Sequence, residues 1–200
     1  MKGYINIRKE CWNLLNSELP VALHYHSIRH TKNALKNCEE YLNYYKINGN
    51  DAKLLRLGVL MHDIGFTVSS KNHEAEGVKI AKRLMTKHNF SEEAIDLVSG
   101  LIMATRIPQK PESLLQKIIC DVDLDYLGRK DYYEISELLY KEILENSEFI
   151  ERARWNKIQI DFLEKHRYHT EYAIEKRQLC TEQRLFELKK MVRQEQRKIV

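Results

Sequence analysis

The stretch "LLRLGVLMHDIG", residues 54–65, is an apolar helical run that ends on an adjacent histidine and aspartate, His62 and Asp63. Imidazole and carboxylate resist burial unless something compensates them. Upstream lies "YHSIRHT", 25–31, where His26 and His30 are four residues apart and share one helix face. Downstream lies "CDVDLDYLG", 120–128, with Asp121 and Asp125 also four apart on an otherwise apolar helix. Three helices thus each offer nitrogen or carboxylate ligands beside core-forming residues. If their faces converge, His30, His62, Asp63 and Asp121 form a two-histidine, two-carboxylate site. A divalent cation would remove the objection to burial, because ligation neutralises the carboxylates and uses the imidazole lone pairs. With four protein ligands, an octahedral ion keeps two positions for water and a substrate oxygen. Such an open site polarises a phosphoryl group and makes hydroxide near neutral pH. The ligand types do not separate Mn, Mg, Co, Ni, Fe and Zn.

The bulk properties suit such a core. The chain has 200 residues, 43% hydrophobic and 31% charged, an ordinary balance for a globular domain. Seven glycines and three prolines scattered through long periodic segments predict a mainly helical fold. The opening "MKGYINIRKECWNLL" lacks a signal peptide's long apolar stretch, and no run of eighteen apolar residues occurs, so a cytoplasmic protein without a membrane partner is expected. Cys11, Cys38, Cys120 and Cys180 are far apart, with no C-x-x-C pair, and read as small reduced residues. A net charge of +4 favours anionic substrates but falls short of a nucleic-acid signature. Much of the excess lies in Lys176, Arg177, Arg184, Lys189, Lys190, Arg193, Arg197 and Lys198, where interleaved acids point to a solvated helix face.

Periodicity predicts a helix after Pro20 that stops at "NGN", 48–50, and a second, capped by Asn50 or Asp51, that ends at Gly65. A third runs from His73, behind Asn72, to about His88, and a fourth starts at Ser91. It ends before the loop "TRIPQKP", 105–111. A fifth begins near Pro111 and stops at Gly128. Further helices are expected over 131–144, 148–165 and 170–197.

At this point the chain resembles the HD-domain superfamily of metal-dependent phosphohydrolases. The likeness spans roughly 20–130 and rests on a histidine, an adjacent His-Asp after an apolar helix, and a distant aspartate. It implies an all-α fold, here expected as a single domain with a long C-terminal helix. The expected divisions are an N-terminal helical segment, 1–19, the metal-binding domain, 20–170, and a charged helix, 171–200. It also implies metal-ligand positions at His30, His62, Asp63 and Asp121. Asp121 is preferred to Asp123 as the first aspartate of the D-x-D run, and Asp125 is placed behind the ligands. The cyclic-nucleotide branch of the family has Y-H-x-x-x-H, which "YHSIRH" fits, so His26 is a candidate general acid against a structural histidine. His73 resembles a position that contacts phosphate or a second metal, with a solvated helix-start residue as the alternative. Arg106 and Lys110 are candidates for holding phosphate oxygens. His166 and His169 either close the pocket or lie at the surface, and Tyr41, Tyr44 and Tyr45 read as packing.

Two departures narrow the resemblance. Phe66 stands where the cyclic-dinucleotide branch has lysine, and "LIMATR", 101–106, lacks the histidine pair of binuclear and trinuclear members. The expected activity is cleavage of a phosphate ester or anhydride, of a nucleotide or cyclic nucleotide, by a metal-bound hydroxide with Asp63 in the catalytic centre. A small phosphorylated molecule is the expected partner, and a homodimer is left open. The alternatives are a non-catalytic regulatory protein that binds metal and nucleotide, a di-iron oxygenase, and a nucleic-acid binder using the basic tail.

Overall fold

Helix α3, Gly49–Met61, buries Ala52, Leu54, Leu55, Leu57, Gly58, Val59, Leu60 and Met61, residues that lie all around its axis. A helix apolar on every side has to be enclosed, and four others enclose it. The computed structural model describes residues 3–146 and 149–199; of 195, 196, 198 and 199 it describes the backbone alone. Among these residues the structure is all helical, with no strand. The first unit, ending at Asp123, carries α1 (Gly3–Glu18), α2 (Ile28–Tyr44), α3, a 3-10 turn at Ile64–Thr67, α4 (His73–Lys87), α5 (Glu92–Ala104) and α6 (Leu114–Asp123). Around α3 pack α1, α2, α5 and α6, while the 3-10 turn lies on α4. Their shared core includes Ile7, Leu15, Leu57, Leu60, Met61, Ile64, Met85 and Ile102, all at most 1% exposed. Truncating one such side chain to alanine costs about 2–5 kcal/mol.

Local chemistry sets the ends of these helices. Ser91 caps α5, accepting from the Ala94 amide at 3.4 Å, ahead of Glu92 and Glu93 in the first turn. Asn72 precedes α4 in the left-handed conformation that asparagine tolerates, φ 56°. At α4's other end, Lys87 and His88 both meet Glu10, at 2.8 and 2.9 Å, which fastens α1 there. Gly65 allows the closest approach: a Cβ there would overlap the His73 carbonyl oxygen and lie 2.6 Å from the Gly77 nitrogen. The 3-10 turn can therefore lie directly against the backbone of α4.

The second unit runs from Leu124 and carries a 3-10 turn at Asp125–Gly128, α7 (Tyr132–Asn146), α8 (Arg152–Lys165) and α9 (Glu171–Ile199). Inside it, Arg177 Nε of α9 donates to the fully buried Asp125 carboxylate at 2.9 Å. Tyr132 and Ser136 of α7 both donate to Gln159 Oε1 of α8.

Several boundaries differ from the sequence reading. Residues 20–27 form turns, and α2 starts only at Ile28. The cap of α3 is Asn48, not Asn50 or Asp51. Helix α8 starts at Arg152; the expected start at Glu148 lies outside the described residues. The two units divide after Asp123. The basic residues of α9 are partly engaged within the second unit, Arg177 with Asp125, Arg184 with Glu187 and Lys189 with Glu164. The side chain of Lys198 lies outside the described residues.

Candidate metal centre

His62 and Asp63 follow immediately on α3, so the most enclosed helix of the first unit delivers them into the interior, at 1% and 6% exposure. The Nδ1 of His62 lies 2.7 Å from the Val59 carbonyl oxygen one turn back. A carbonyl can only accept, so Nδ1 carries the proton and Nε2 presents its lone pair. His30 brings a second Nε2 from α2, 3.0 Å from that of His62. Both nitrogens meet Asp63 Oδ2, at 3.4 Å from His30 and 3.2 Å from His62. Both also meet Asp123 Oδ1 at the end of α6, at 3.2 Å from His30 and 3.4 Å from His62.

These five separations, 3.0–3.4 Å, are the edges expected between ligand atoms that each sit about 2.1 Å from one divalent ion. Asp63 Oδ2 is buried and accepts no hydrogen bond of good geometry. A buried acceptor left so is costly unless a cation serves it. His30, His62 and Asp123 could hold a metal ion between them, and Asp63 Oδ2 adds a fourth ligand atom beside both nitrogens. The residues present fit the group.

The electrostatics agree. Burial pushes the Asp63 carboxyl up, yet His62, His26 and His30 overcome this and hold it far below the usual carboxylate range. Asp123 is lowered in the same way, against burial, by His30 and His62. Burial opposes charge on His62, and the Asp63 and Asp123 carboxylates outweigh it, raising its pKa. Two carboxylates held ionised beside two imidazoles make a cluster that favours a cation.

The structure brings Asp123, two residues after the preferred Asp121, to the histidines. Asp121 itself is fully buried in α6. Residues two apart on a helix point to different sides, so only one of the pair can face the histidines. Leu115, Ile118, Ile119 and Val122 form one apolar stripe on α6, and Asp121 and Asp123 flank it on opposite sides, so the stripe does not show which of them faces the histidines.

The other candidates fall at the rim or away from it. His26 is half-buried and stacks on Phe66, with ring centroids 4.3 Å apart. His73 Nε2 stands 3.7 Å from Asp63 Oδ1 and 3.6 Å from Glu74 Oε1. Glu74, which sequence reasoning passed over, is buried at 8% exposure; an acid in the first turn of a helix is ordinary, and its place directly after His73 was the available signal. Arg106 is exposed, with Nη2 donating to Asn72 Oδ1 at 3.4 Å beside His73. Lys110 is exposed in the same loop, and among the described residues no contact ties it to the cluster. His166, in the second unit, packs on Phe162 and Tyr168. Tyr41 is fully buried, whereas Tyr44 is 40% exposed and packs edge-on against Tyr45.

No helix among the described residues is long and apolar enough to cross a membrane. No curated protein and no solved structure matches the chain. The family model for the HD domain does match, over residues 24–126, a span that holds His30, His62, Asp63 and Asp123. HD domains bind divalent metals and are typically metal-dependent phosphohydrolases. With just over half its length matched, the chain belongs to the HD-domain superfamily.

Proposed function

We propose that this chain hydrolyses a phosphate ester or anhydride of a small molecule, with a nucleotide or cyclic nucleotide as substrate. His30, His62, Asp63 and Asp123 would hold the divalent ion. The observation that carries the reading is the meeting of these four side chains, from three helix ends or faces, with ligand atoms 3.0–3.4 Å apart. A divalent cation there supplies Lewis acidity towards the phosphoryl oxygen and brings bound water near neutral pKa.

The chain's own residues do the rest. His62 keeps its Nε2 lone pair directed inward through the Val59 contact. His26, at the rim beside His30 with ring centroids 6.4 Å apart, is the general acid that gives a proton to the departing alkoxide. His73 and Arg106 meet the non-reacting phosphate oxygens from the start of α4, where the helix dipole also favours negative charge. Burial of Asp63 and His62 keeps the dielectric low around these charges. If a second ion binds, Asp63 would hold it.

The test is metal analysis of the purified protein beside a panel of nucleotides and phosphodiesters with added Mn²⁺, Mg²⁺, Co²⁺ or Fe²⁺. Metal-dependent phosphate release that Asp63→Ala eliminates, with helicity kept, is the expected result. Equal activity in that variant would overturn the reading. His26→Ala should slow turnover far more than it lowers metal content.

A further inference from the structure

Phe66 is buried, at 6% exposure, in the turn directly after the His-Asp pair. Its backbone is fixed twice: its amide donates to the Asp63 carbonyl at 3.0 Å, and the preceding Gly65 lies against α4. The ring stacks on His26, 4.3 Å between centroids and 26° between planes, and on His73, 4.0 Å and 21°. Those two imidazoles are 6.1 Å apart and come from segments 47 residues distant, and Phe66 touches both. Tyr25 adds an edge-on contact to His26 at 4.7 Å.

The terminal torsion of a histidine is broad, so a half-exposed imidazole samples many ring orientations unless something restrains it. A phenyl face restrains a ring plane without bonding to either ring nitrogen. The stack itself therefore engages no nitrogen of either imidazole. We propose that Phe66 is a positioning residue, whose ring sets the planes of His26 and His73 together so that both meet the same phosphoryl group. The proposal rests on the phosphohydrolase reading above, but its readouts separate the two.

Phe66→Leu keeps apolar volume and loses the face, while Phe66→Tyr keeps the face; Phe66→Met serves if the leucine variant loses helicity. Histidine side-chain NMR should show ring-current shifts on His26 and His73 in the wild type and in Phe66→Tyr, and their loss in Phe66→Leu. Manganese content should be equal in all. Inorganic phosphate should bind the manganese-loaded Phe66→Leu protein about 10-fold more weakly than wild type, with Phe66→Tyr within about 3-fold. In turnover, Phe66→Leu should lower kcat about 10- to 100-fold with KM changed less than about 3-fold. Adding His26→Ala to Phe66→Leu should cost much less than His26→Ala alone. Unchanged imidazole shifts, or phosphate binding and turnover equal to wild type in Phe66→Leu, would overturn the inference, as would failure of the wild type to bind phosphate. Phosphate binding that depends on Phe66, without hydrolysis of any substrate tried, would sink the hydrolase reading and leave Phe66 in its role.

Discussion

The Val59 carbonyl oxygen and His62 Nδ1, 2.7 Å apart within one helical turn, fix the histidine's tautomer by backbone alone. No neighbouring side chain has to be kept for this purpose, and the helix that buries the histidine also orients it. The same logic separates the two aspartates of α6. Asp123→Asn should weaken Mn²⁺ binding by more than about 100-fold, beyond the roughly 10- to 100-fold cost of losing a group that only supports a ligand. Asp121→Asn should leave metal content near wild type and be felt in the unfolding midpoint, because that carboxyl is fully buried. Metal titration by calorimetry on both variants checks this, and the reverse pattern would restore Asp121 as the ligand.

Gly65→Ala should destabilise the protein by about 3 kcal/mol, since the added methyl has to displace backbone, not a flexible side chain. Thermal unfolding measures the loss. The surviving folded fraction should also show reduced phosphate affinity, because His73, on the displaced helix, moves with it.

Thiol chemistry offers a check on the core. Cys11 and Cys38 are fully buried, and burial pushes both thiols up to about 12, as it raises Cys120 further still. Only Cys180 is partly exposed. A disulfide-exchange reagent at pH 8 should therefore titrate one fast thiol per folded chain and four in denaturant. Fast reaction at Cys120 would mean that the α5–α6 packing opens readily.

Acid should weaken the second unit through His166. Burial, aided by His169 and Arg167, lowers its pKa to about 4 from an ordinary 6.5. The unfolded chain thus binds a proton that the folded chain refuses between those values. Stability contributed by the neutral ring is complete above pH 6.5 and lost as pH falls towards 4, by about 1–2 kcal/mol once partial exposure is allowed for. His166→Phe, which keeps the stack on Phe162, should flatten that part of the unfolding midpoint's pH profile. An unchanged slope would remove His166 from the account.

The all-helical fold and the meeting of His30 with the His62–Asp63 pair were legible in the sequence. An apolar run that ends on adjacent polar groups is a local pattern, whereas His26 lies in the turns before α2 and shares no helix face with His30. The choice between Asp121 and Asp123 was not legible, because the two flank the apolar stripe of α6 on opposite sides and periodicity does not say which flank meets the histidines. Equally hidden was the role of Phe66. In sequence it is one apolar residue after a motif, and its partners stand 40 residues before and 7 after. The late start of α2 also escaped notice, since the turns over 20–27 are set by packing and not by a strong breaker other than Pro20.

The crowding of Gly65 against α4 has a use for anyone wishing to redirect this scaffold. Residues 62–66 are all buried, and Gly65 lies against the His73 and Gly77 backbone, so mutational libraries placed there will return mostly misfolded chains. The tolerant positions are those that already face water close by in sequence or contact: Val68 at 63% exposure, Ile107 at 58%, and Arg106 beside Asn72. Diversity concentrated on those three sites can change what the rim accepts while the buried charges keep their register.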